Sequence, residues 1–461
     1  MKKTITLIFI INMIILLNIT KSSFGLNATP DIGSFEETCF CPGPAGYKRI
    51  CTAQQLQNVQ NNLEANYFLC NAIDLQGFPF EPLGPFKGIF DGNNKPISNL
   101  NIYLPNNNYV GFFSIINTYE NPNETIIKNV KLVNANITGH DWVGALAGQV
   151  KRNTIIENCS SSGNIVGNIQ YPAGFSIYIG GLIGKFEGKI ISNSSSSANV
   201  LGDSGVGGLI GYIDPITSFS ETVLKSSFAT GSVLVTAGAA GGLVGSIRAI
   251  FNPLQIEDSY ATGDVLCFGD DSDFSGTVGG LIGGINLHDE VNLKRSFSLG
   301  NLFCHHQLGG LIGYISHFDG TTISISDSYA MGDLTGSYRI GGLVGYSNYD
   351  FQFNLPTVLS IQNSYSTGTL SGDTEVQGTI NFSSGTNLQI EIDDTFFNQS
   401  ANPDLPNDEY NVGKTEVDLK TLSTFQEAGW NILPECVPST PGQVWKIACP
   451  DGTDFPSLLW E

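Results

Sequence analysis

A five-residue glycine-rich box recurs along the chain and limits the possible folds more than any other feature. The box reads Gly-Gly-Leu-[Ile/Val]-Gly, and its six well-formed copies lie at residues 180–184, 207–211, 241–245, 279–283, 309–313 and 341–345. Degenerate copies precede them at 143–148 and 110–113. Their first glycines are 27 to 38 residues apart, which gives a unit of about 33 residues. A period of this size indicates a solenoid or a propeller.

A second element lies between successive boxes. It is clearest at residues 258–265, 327–334 and 363–370, which read DSYATGDV, DSYAMGDL and NSYSTGTL. Every unit carries short β-type runs separated by Gly, Asn, Asp and Ser, without the periodicity of a helix. Propeller blades are antiparallel meanders with signatures that this sequence lacks. The repeat therefore predicts an all-β fold, a parallel β-helix of about eight stacked coils.

The composition agrees with a folded β-rich protein. Glycine accounts for 54 of the 461 residues and charged residues for 14%, against about 7% and 25% in typical globular proteins. A hydrophobic content of 41% supplies a core, which rules out wholesale disorder. Acidic residues outnumber basic ones by 42 to 21, and the basic residues form no cluster. Nucleic acid and anionic membrane surfaces are therefore poor partners.

The first 25 residues have the pattern of a secretory signal peptide. Two lysines precede the apolar run 5–17, and Ser-Phe-Gly at 23–25 supplies small residues before a cleavage site. Cleavage is expected before Leu26, and loss of three lysines would then leave a net charge of −24. The alternative is an N-terminal membrane anchor, although the run is short and is interrupted by Asn12. No later stretch reaches the ~18–20 apolar residues that a membrane span needs, so no membrane insertion is expected after cleavage.

The two repeated elements resemble those of the GLUG-motif family, which comprises secreted and surface-exposed, mostly bacterial, repeat proteins. The resemblance extends to the flanks. Residues 88–102 look like the opening of such an array, and the segments 429–430, 444–446 and 455–460 look like its closing part. The resemblance implies a β-helical, adhesin-like protein, and some relatives join these repeats to a peptidase.

The predicted organisation has four parts. They are a signal peptide at 1–25, an N-terminal cap at 26–95, a GLUG-type repeat array at 96–399 and a C-terminal cap at 400–461. Thr52-Ala53-Gln54-Gln55 is a capping box that predicts a helix to about Ala65, and residues 416–428 are a second helical candidate. The ends of a solenoid need such caps because they otherwise leave unpaired strand edges.

The second element also predicts which side chains face the core. Its glycine, or Ala198 in one unit, is taken as position 0, and position +2 is apolar throughout: Ile165, Val200, Val233, Val265, Leu302, Leu334 and Leu370. Because side chains alternate along a strand, positions −4 and −2 should also face inward. They hold small residues such as Ser259 and Ala261. Positions −3 and +1 should face outward.

Position −3 is aromatic in five successive units: Phe228, Tyr260, Phe297, Tyr329 and Tyr365. An exposed aromatic stack is a platform for carbohydrate or protein ligands, so we predict that this ladder binds a surface glycan or a protein. One alternative is that the rings only pack adjacent strands together, at about 0.5–1.5 kcal/mol a pair. Another is that Asn or Asp at position −5 forms a turn that resets the alternation and buries the rings. The residues at −5 are Asn158, Asn193, Asp258, Asp327 and Asn363.

The nine cysteines fall into groups. Cys39, Cys41, Cys51 and Cys70 lie in the N-terminal cap, and Cys436 and Cys449 lie in the C-terminal cap. In a secreted protein these groups predict disulfides rather than zinc sites, with the pairing in the N-terminal cap left open. Cys267 and Cys304 lie four residues after their reference glycines, so they should stack at the ~4.8 Å strand spacing, within reach of a disulfide. Cys159 occupies an inward −4 position and is the expected unpaired cysteine.

Catalytic and metal-binding motifs are weak. None of the five histidines belongs to an H-E-x-x-H motif, and His305-His306 is interpreted as a turn. Asp264 with Asp333 could supply the two carboxylates of a glycosidase, as could the loop carboxylates Asp270, Asp271 and Asp273. Those three loop residues are also candidate calcium ligands, the alternative being a solvated loop. No other cofactor is expected.

Together these observations predict a secreted or cell-surface β-helix that displays its surface for adhesion or ligand binding and is not an enzyme. The alternative function is a β-helical polysaccharide-degrading enzyme, either a lyase or a glycoside hydrolase. A lyase for an anionic polymer would need basic groups along its groove, whereas this protein is acidic.

Overall fold

The computed structural model of the protein describes residues 39, 41–169, 177–215, 221–249, 252–268, 276–287, 290–317, 320–349, 357–382, 388–450 and 452–461. These residues form a parallel β-solenoid, so the predicted parallel β-helix is confirmed. The predicted signal peptide and the aspartates at 270, 271 and 273 lie outside the described residues.

The central coils of the solenoid each contribute strands to four sheets, which we call A, B, C and D in the order in which one coil enters them. In one coil, Leu254–Glu257 belongs to sheet A, Tyr260–Ala261 and Val265–Cys267 to sheet B, Thr277–Gly279 to sheet C and Ile282–Leu287 to sheet D. Each strand pairs in parallel with its equivalent in the next coil. Residues about 33 positions apart in sequence therefore become direct neighbours.

Sheets A and B run along most of the described chain. Sheet A has twelve strands: Lys48–Ile50, Tyr67–Leu69, Ile89–Asp91, Thr125–Lys128, Thr154–Glu157, Ile190–Ser192, Thr222–Lys225, Leu254–Glu257, Glu290–Lys294, Thr322–Ser326, Thr357–Gln362 and Leu388–Asp393. The strands of sheet B are Ile73–Asp74, Pro96–Ser98, Asn101–Tyr103, Lys131–Gly139, Ser160–Gly167, Ser195–Ser196, Asn199–Gly202, Phe228–Ala229, Val233–Val235, Tyr260–Ala261, Val265–Cys267, Phe297–Ser298, Leu302–Phe303, Tyr329–Ala330, Leu334–Thr335, Tyr365–Ser366, Leu370–Ser371, Phe396–Asn398 and Val412–Lys414. The coils thus extend beyond the array predicted at 96–399.

Sheets C and D flank the glycine-rich boxes. Sheet C has eight strands: Val143–Gly144, Ile177–Gly180, Ser204–Gly207, Ala239–Gly241, Thr277–Gly279, Gln307–Gly309, Tyr338–Gly341 and Thr374–Gln377. Sheet D has nine: Phe113–Ile116, Ala147–Val150, Ile183–Phe186, Ile210–Ile213, Val244–Ala249, Ile282–Leu287, Ile312–His317, Val344–Tyr349 and Ile380–Phe382.

The helices are short and lie near the two ends of the described chain. Helix α1, Ala53–Gln57, continues as the 3-10 turn Asn58–Asn61, so it is shorter than predicted. The Thr52 hydroxyl accepts the Gln55 amide at 3.2 Å, as expected of a capping residue. Near the C terminus, the 3-10 turn Asp418–Lys420 precedes helix α2, Leu422–Glu427. A small sheet of Ile432–Pro434, Trp445–Ile447 and Ser457–Leu458 follows.

The box glycines are needed because strands C and D approach each other backbone to backbone. A Cβ on Gly283, in strand D, would lie 2.6 Å from the backbone nitrogen and carbonyl carbon of Ala240, in strand C of the preceding coil, too close for any side chain. A Cβ on Gly280 would lie 2.1 Å from the Gly310 carbonyl oxygen and 2.1 Å from Ser298 Oγ. Ser298 is at position −2, so the coil is narrow there, and the small residues predicted at this position are explained.

The predicted inward positions are confirmed. At position +2 six residues are at most 2% exposed: Ile165, Val200, Val233, Val265, Leu302 and Leu334. Leu370, in the last of these coils, is half-buried.

At position −4, a column of serines is fully buried: Ser194, Ser227, Ser259, Ser296, Ser328 and Ser364. Each hydroxyl donates to the carbonyl two residues earlier, at 2.7–3.0 Å, and accepts the amide of the −4 residue in the preceding coil, at 3.1–3.3 Å. This serine ladder begins at buried Cys159.

The predicted turn at position −5 exists, but it does not reset the alternation. Asn158, Asn193, Asp258, Asp327 and Asn363 have φ between 47° and 51°, a left-handed conformation that Asn and Asp tolerate. Positions −4 and −2 both face the core afterwards, so position −3 faces outward as the alternation predicts.

Three disulfides have defined partners: Cys41–Cys70, Cys267–Cys304 and Cys436–Cys449. Cys39 and Cys51 are disulfide-bonded as well. The Cα atoms of Cys267 and Cys304 are 4.8 Å apart, which confirms the stacking predicted from their spacing. Cys159 is the free, buried cysteine that was expected, and burial raises the pKa of its thiol to about 12.

Candidate ligand-binding surface

The aromatic residues at position −3 form a continuous outward-facing stack on sheet B. Phe228, Tyr260, Phe297, Tyr329 and Tyr365 pair in register from coil to coil. Successive ring centroids are 4.8 to 5.1 Å apart and the ring planes differ by 4° to 6°. We call these five residues the aromatic ladder. The ring faces stack on each other, and the ring edges point outward.

Residues 422–461, which we call the C-terminal strap, run back along this ladder. The ring centroids of Trp430 and Trp445 lie 6.3 and 5.9 Å from that of Tyr365. The centroid of Trp445 is also 6.0 Å from that of Tyr329. Trp460 lies 5.7 Å from Phe297 and 6.0 Å from Tyr260. The strap therefore contacts the ladder from Tyr365 in the last coils to Tyr260 in an earlier one. The strap lies along the side of the solenoid, and the C-terminal cap assigned to residues 400–461 stays a prediction.

Polar contacts fasten the strap to the ladder and to the adjacent turns. The Tyr329 hydroxyl donates to Glu461 Oε2 at 2.9 Å, and the Tyr365 hydroxyl donates to the Pro456 carbonyl. The indole nitrogen of Trp445 donates to Asp327 Oδ1 at 3.3 Å. Trp445 itself is fully buried. The strap and ladder form one hydrophobic cluster, distinct from the interior of the coils.

The prediction that the whole ladder is an exposed binding platform is wrong for three of its rings. Phe297, Tyr329 and Tyr365 are 5%, 2% and 0% exposed because the strap covers them. Burial, followed by the nearby Glu461 carboxylate, raises the pKa of Tyr329 well above its ordinary value. The pKa of Tyr365 is also raised, chiefly by burial.

Two ladder rings remain accessible where the strap ends. Phe228 and Tyr260 are half-buried, and Trp460 is 38% exposed. The coil before Phe228 places Ser195 at the same position, so one face of the Phe228 ring adjoins a small residue instead of another ring. We call Phe228, Tyr260 and Trp460 the open ladder end. It offers aromatic edges and one ring face that has no aromatic partner within the ladder.

A charged network flanks the open ladder end. Arg295 Nε donates to Asp258 Oδ1 at 2.6 Å, and its terminal nitrogen contacts Glu257 Oε2 at 3.0 Å. These residues occupy the turn positions next to Tyr260 and Phe297 along the chain. On the other side of the ladder Leu299 is 40% exposed. The surface thus combines apolar rings with charged groups, a composition suited to amphipathic ligands.

The aspartates proposed as a catalytic pair instead stabilise sheet B. Asp264 Oδ1 accepts the Asn301 amide at 2.9 Å, and Asp333 Oδ1 accepts the Thr369 amide at 2.8 Å. Asn301 lies between them and accepts the Asp333 amide at 3.0 Å. Each side chain at +1 therefore binds the backbone of the following coil, and the two carboxylates do not face each other across a cleft.

A second charged cluster, which the sequence reasoning missed, lies on sheet D. Lys185 Nζ is 2.6 Å from Glu187 and 3.2 Å from Asp214, and Arg248 is 3.0 Å from Asp214. Burial opposes the charge of Lys185, but the hydrogen bond and charge of Glu187 outweigh burial and raise the Lys185 pKa. Glu187 and Asp214 are only 2% and 1% exposed, so a polymeric substrate cannot reach them. The cluster links neighbouring coils.

Comparison with known proteins finds partial relatives. No protein-family model matches the chain, so the GLUG resemblance stays a prediction. A stretch of 189 residues, 39% of this chain, is 31% identical to halomucin of Haloquadratum walsbyi and covers 2% of that protein. Another of 226 residues, 48% of this chain, is 25% identical to the immunoglobulin A1 protease of Streptococcus pneumoniae and covers 10% of it.

A solved structure of a candidate immunoglobulin A1 protease from Bacteroides ovatus aligns over 90% of this chain and 93% of its own, at 18% identity and a TM-score of 0.36.

Among the described residues, no helix is long and apolar enough to cross a membrane. The chain spans a tenth or less of the length of the halomucin and the Streptococcus pneumoniae protease that it matches.

Proposed function

We propose that this protein is a secreted or cell-surface β-solenoid of the GLUG type that binds a glycan or a protein without catalysing a reaction. The open ladder end is the proposed contact surface. The observation that carries the proposal is that Phe228, Tyr260 and Trp460 stay accessible where the strap ends, although the rest of the ladder is covered.

The chemistry of this surface favours a ligand with a flat apolar face and polar edges. A sugar ring or an aromatic side chain could stack on the free face of Phe228 as the next member of the ladder, above Ser195. Stacking of this kind contributes about 0.5–1.5 kcal/mol beyond the burial of apolar area. Arg295, Asp258 and Glu257 lie two or three residues before Phe297 and Tyr260 in the chain, and we propose that they hydrogen-bond hydroxyl or amide groups of the same ligand.

The contacts of four carboxylates in the described coils support a non-enzymatic function. Asp264 and Asp333 hold backbone amides, and Glu187 and Asp214 are buried in ion pairs. The immunoglobulin A1 proteases carry the name of an enzyme, but the matched stretch is a tenth of the Streptococcus pneumoniae protein. We propose that this stretch corresponds to a solenoid that serves binding rather than cleavage.

Glycan and matrix-protein arrays test the proposed function. The chain is compared with a Phe228→Ala/Tyr260→Ala variant and with a matched control, Tyr103→Ala, which removes a 55% exposed ring elsewhere on sheet B. We expect reproducible binding to one ligand class that the double variant loses and the control retains. Binding that survives the double variant would place the contact elsewhere. Hydrolysis of the bound ligand by the unmodified chain would favour the polysaccharide-degrading alternative.

A further inference from the structure

Among the described residues, the last strand of sheet A has a neighbouring strand along only one of its two edges. Leu388–Asp393 pairs in parallel with Thr357–Gln362 on one side. In the described part of the chain no strand pairs with its other side. Exposed edges of this kind are templates for the addition of another strand, and proteins that leave them open often use them for recognition.

Backbone donors of this strand point toward the open edge. In an earlier coil the amide of Thr222 donates forward, to the Pro253 carbonyl of the next coil at 3.1 Å. The register of sheet A carries the Thr222 position to Ile390. By the same alternation the amides of Ile390 and Ile392 point away from the solenoid, toward the place of a following strand.

The apolar core is also open above this strand. In the preceding coil the inward residues Thr357, Leu359 and Ile361 are fully buried. Their partners Leu388, Ile390 and Ile392 are only half-buried, although they continue the same column. An added strand would cover these three side chains and complete their burial.

The chain itself covers other parts of the same end. Asn411 Oδ1 accepts the amides of Thr379 and Ile380, at 2.9 and 3.2 Å. Asn402 Oδ1 accepts the amide of Leu370 at 2.8 Å. Residues 399–411 therefore satisfy donors of sheets B and D at the last coil. Sheet A has no such cover in the described residues, so the edge of Leu388–Asp393 is accessible. The last strand of sheet C, Thr374–Gln377, also lacks a following strand there, but it has no column of half-buried apolar residues to cover.

The negative charge around the edge indicates what kind of strand it would bind. The sequence has no lysine or arginine from 340 to 413 and has nine acidic residues there. Gln389, Glu391 and Asp393 form the outward row of the edge strand. A second copy of this chain would bring the same acidic row against itself, which is unfavourable. A cationic strand is complementary to it.

A pocket adjoins the end of the edge strand. It has a volume of about 510 Å³ and is lined by Asp394, directly after the strand, and by Asp418 and Glu427, with Lys414 on its wall. A basic side chain of an added strand could enter this pocket, because acidic groups outnumber the single lysine in its lining.

We infer that the open edge of sheet A, Leu388–Asp393, binds an extended cationic segment of another protein by strand addition. Apolar side chains of that segment would cover Leu388, Ile390 and Ile392. The alternate side chains, lysine or arginine, would face Glu391 and Asp393. This site is separate from the open ladder end and does not depend on the function proposed for it.

The test measures binding of a dye-labelled peptide of ten residues that alternates valine and lysine, by fluorescence anisotropy. One control peptide replaces every lysine by glutamate, and the other carries a methyl group on the backbone nitrogen of every lysine. The methyl groups keep the charge but remove the amide donors that face the edge in a parallel strand. The protein variants are Glu391→Lys/Asp393→Lys at the edge and Glu81→Lys, an exposed acidic position in the N-terminal region. Circular dichroism and thermal melts verify that each variant is folded.

We expect the valine–lysine peptide to bind and both control peptides to bind at least about tenfold more weakly. The double charge reversal at the edge should weaken binding by a similar factor, whereas Glu81→Lys should not. The inference is overturned if the valine–lysine peptide does not bind, if the N-methylated peptide binds equally well, or if the edge variant binds like the unmodified protein. The last two results would indicate attraction to the acidic surface in general.

Discussion

The hydroxyl of Tyr329 donates a 2.9 Å hydrogen bond to Glu461 Oε2, 132 residues further along the chain. The contact joins a central ring of the aromatic ladder to the far end of the strap. Trp445, between the two, is fully buried against Trp430, with ring centroids 4.8 Å apart. The strap is therefore held on the ladder by packing along its length and by hydrogen bonds to tyrosines that lie beneath it.

Trp445→Ala should release the strap. Truncation of a fully buried large aromatic residue costs about 3–5 kcal/mol. The cost falls mainly on the strap because Trp445 belongs to the cluster outside the coils. Limited proteolysis should cut within 422–461 faster than in the unmodified protein. Trp460→Ala, at a 38% exposed position, is the matched control and should change the rate little. Equal resistance of both variants would contradict the packing described.

Alkaline pH should release the strap through its tyrosines. The pKa values of Tyr329 and Tyr365 are raised in the folded protein, mainly by burial, so folding favours their protonated forms. Their contribution to stability is complete below about pH 10, the ordinary tyrosine pKa, and is lost as pH rises through the folded-state values. Tyrosinate absorbance and tryptophan fluorescence should change together above pH ~10. In Tyr329→Phe/Tyr365→Phe the fluorescence change should move to higher pH, and an unchanged midpoint would contradict this explanation.

Gly283→Ala should destabilise the solenoid while its neighbour Gly284→Ala should not. The added Cβ at 283 would lie 2.6 Å from backbone atoms of Ala240 in strand C, whereas at 284 the nearest atom would be 3.6 Å away, an ordinary contact. Overpacking costs about 1–3 kcal/mol, and loss of glycine freedom in the unfolded chain offsets about 0.4–1 kcal/mol. Urea melts of the two variants give the comparison. Similar midpoints would show that strands C and D are not in backbone contact.

Ser296→Ala should interrupt the serine ladder. The change removes the acceptor for the buried amide of Ser259, which then has no serine hydroxyl to bind. A buried donor left unsatisfied costs about 1–3 kcal/mol. Exposed Ser371 in sheet B provides the control, since Ser371→Ala should change stability by no more than about 0.5 kcal/mol. A neutral Ser296→Ala would mean that the ladder contributes little.

The residues that face the coil interior could be predicted from the sequence because strand alternation and repeat spacing depend only on residues nearby in one coil or at the same place in the next. Alternation within five residues places Ser259 and Val265 inward, and both are fully buried. The shared spacing of Cys267 and Cys304 from their glycines sets them one coil apart. Such arguments need only the period of the repeat and the geometry of a strand.

The burial of the ladder could not be predicted by the same rules. Tyr365 is covered through its contact with Pro456, 91 residues away in a segment with no repeat. The direction of its side chain follows from alternation, but its exposure depends on where an unrelated segment packs. One signal was present: Trp430, Trp445 and Trp460 are spaced 15 residues apart, and they lie along successive rings.

The most direct test of the division between covered and open rings is hydroxyl-radical footprinting read by mass spectrometry on the intact protein. The structure predicts strong labelling of Tyr260 and Trp460, and protection of Tyr329, Tyr365 and Trp445. An array ligand, once found, should then protect Tyr260 and Trp460 and leave the other three unchanged. Labelling of Tyr329 and Tyr365 as strong as that of Tyr260 would contradict the account, because it would show that the strap does not cover the ladder.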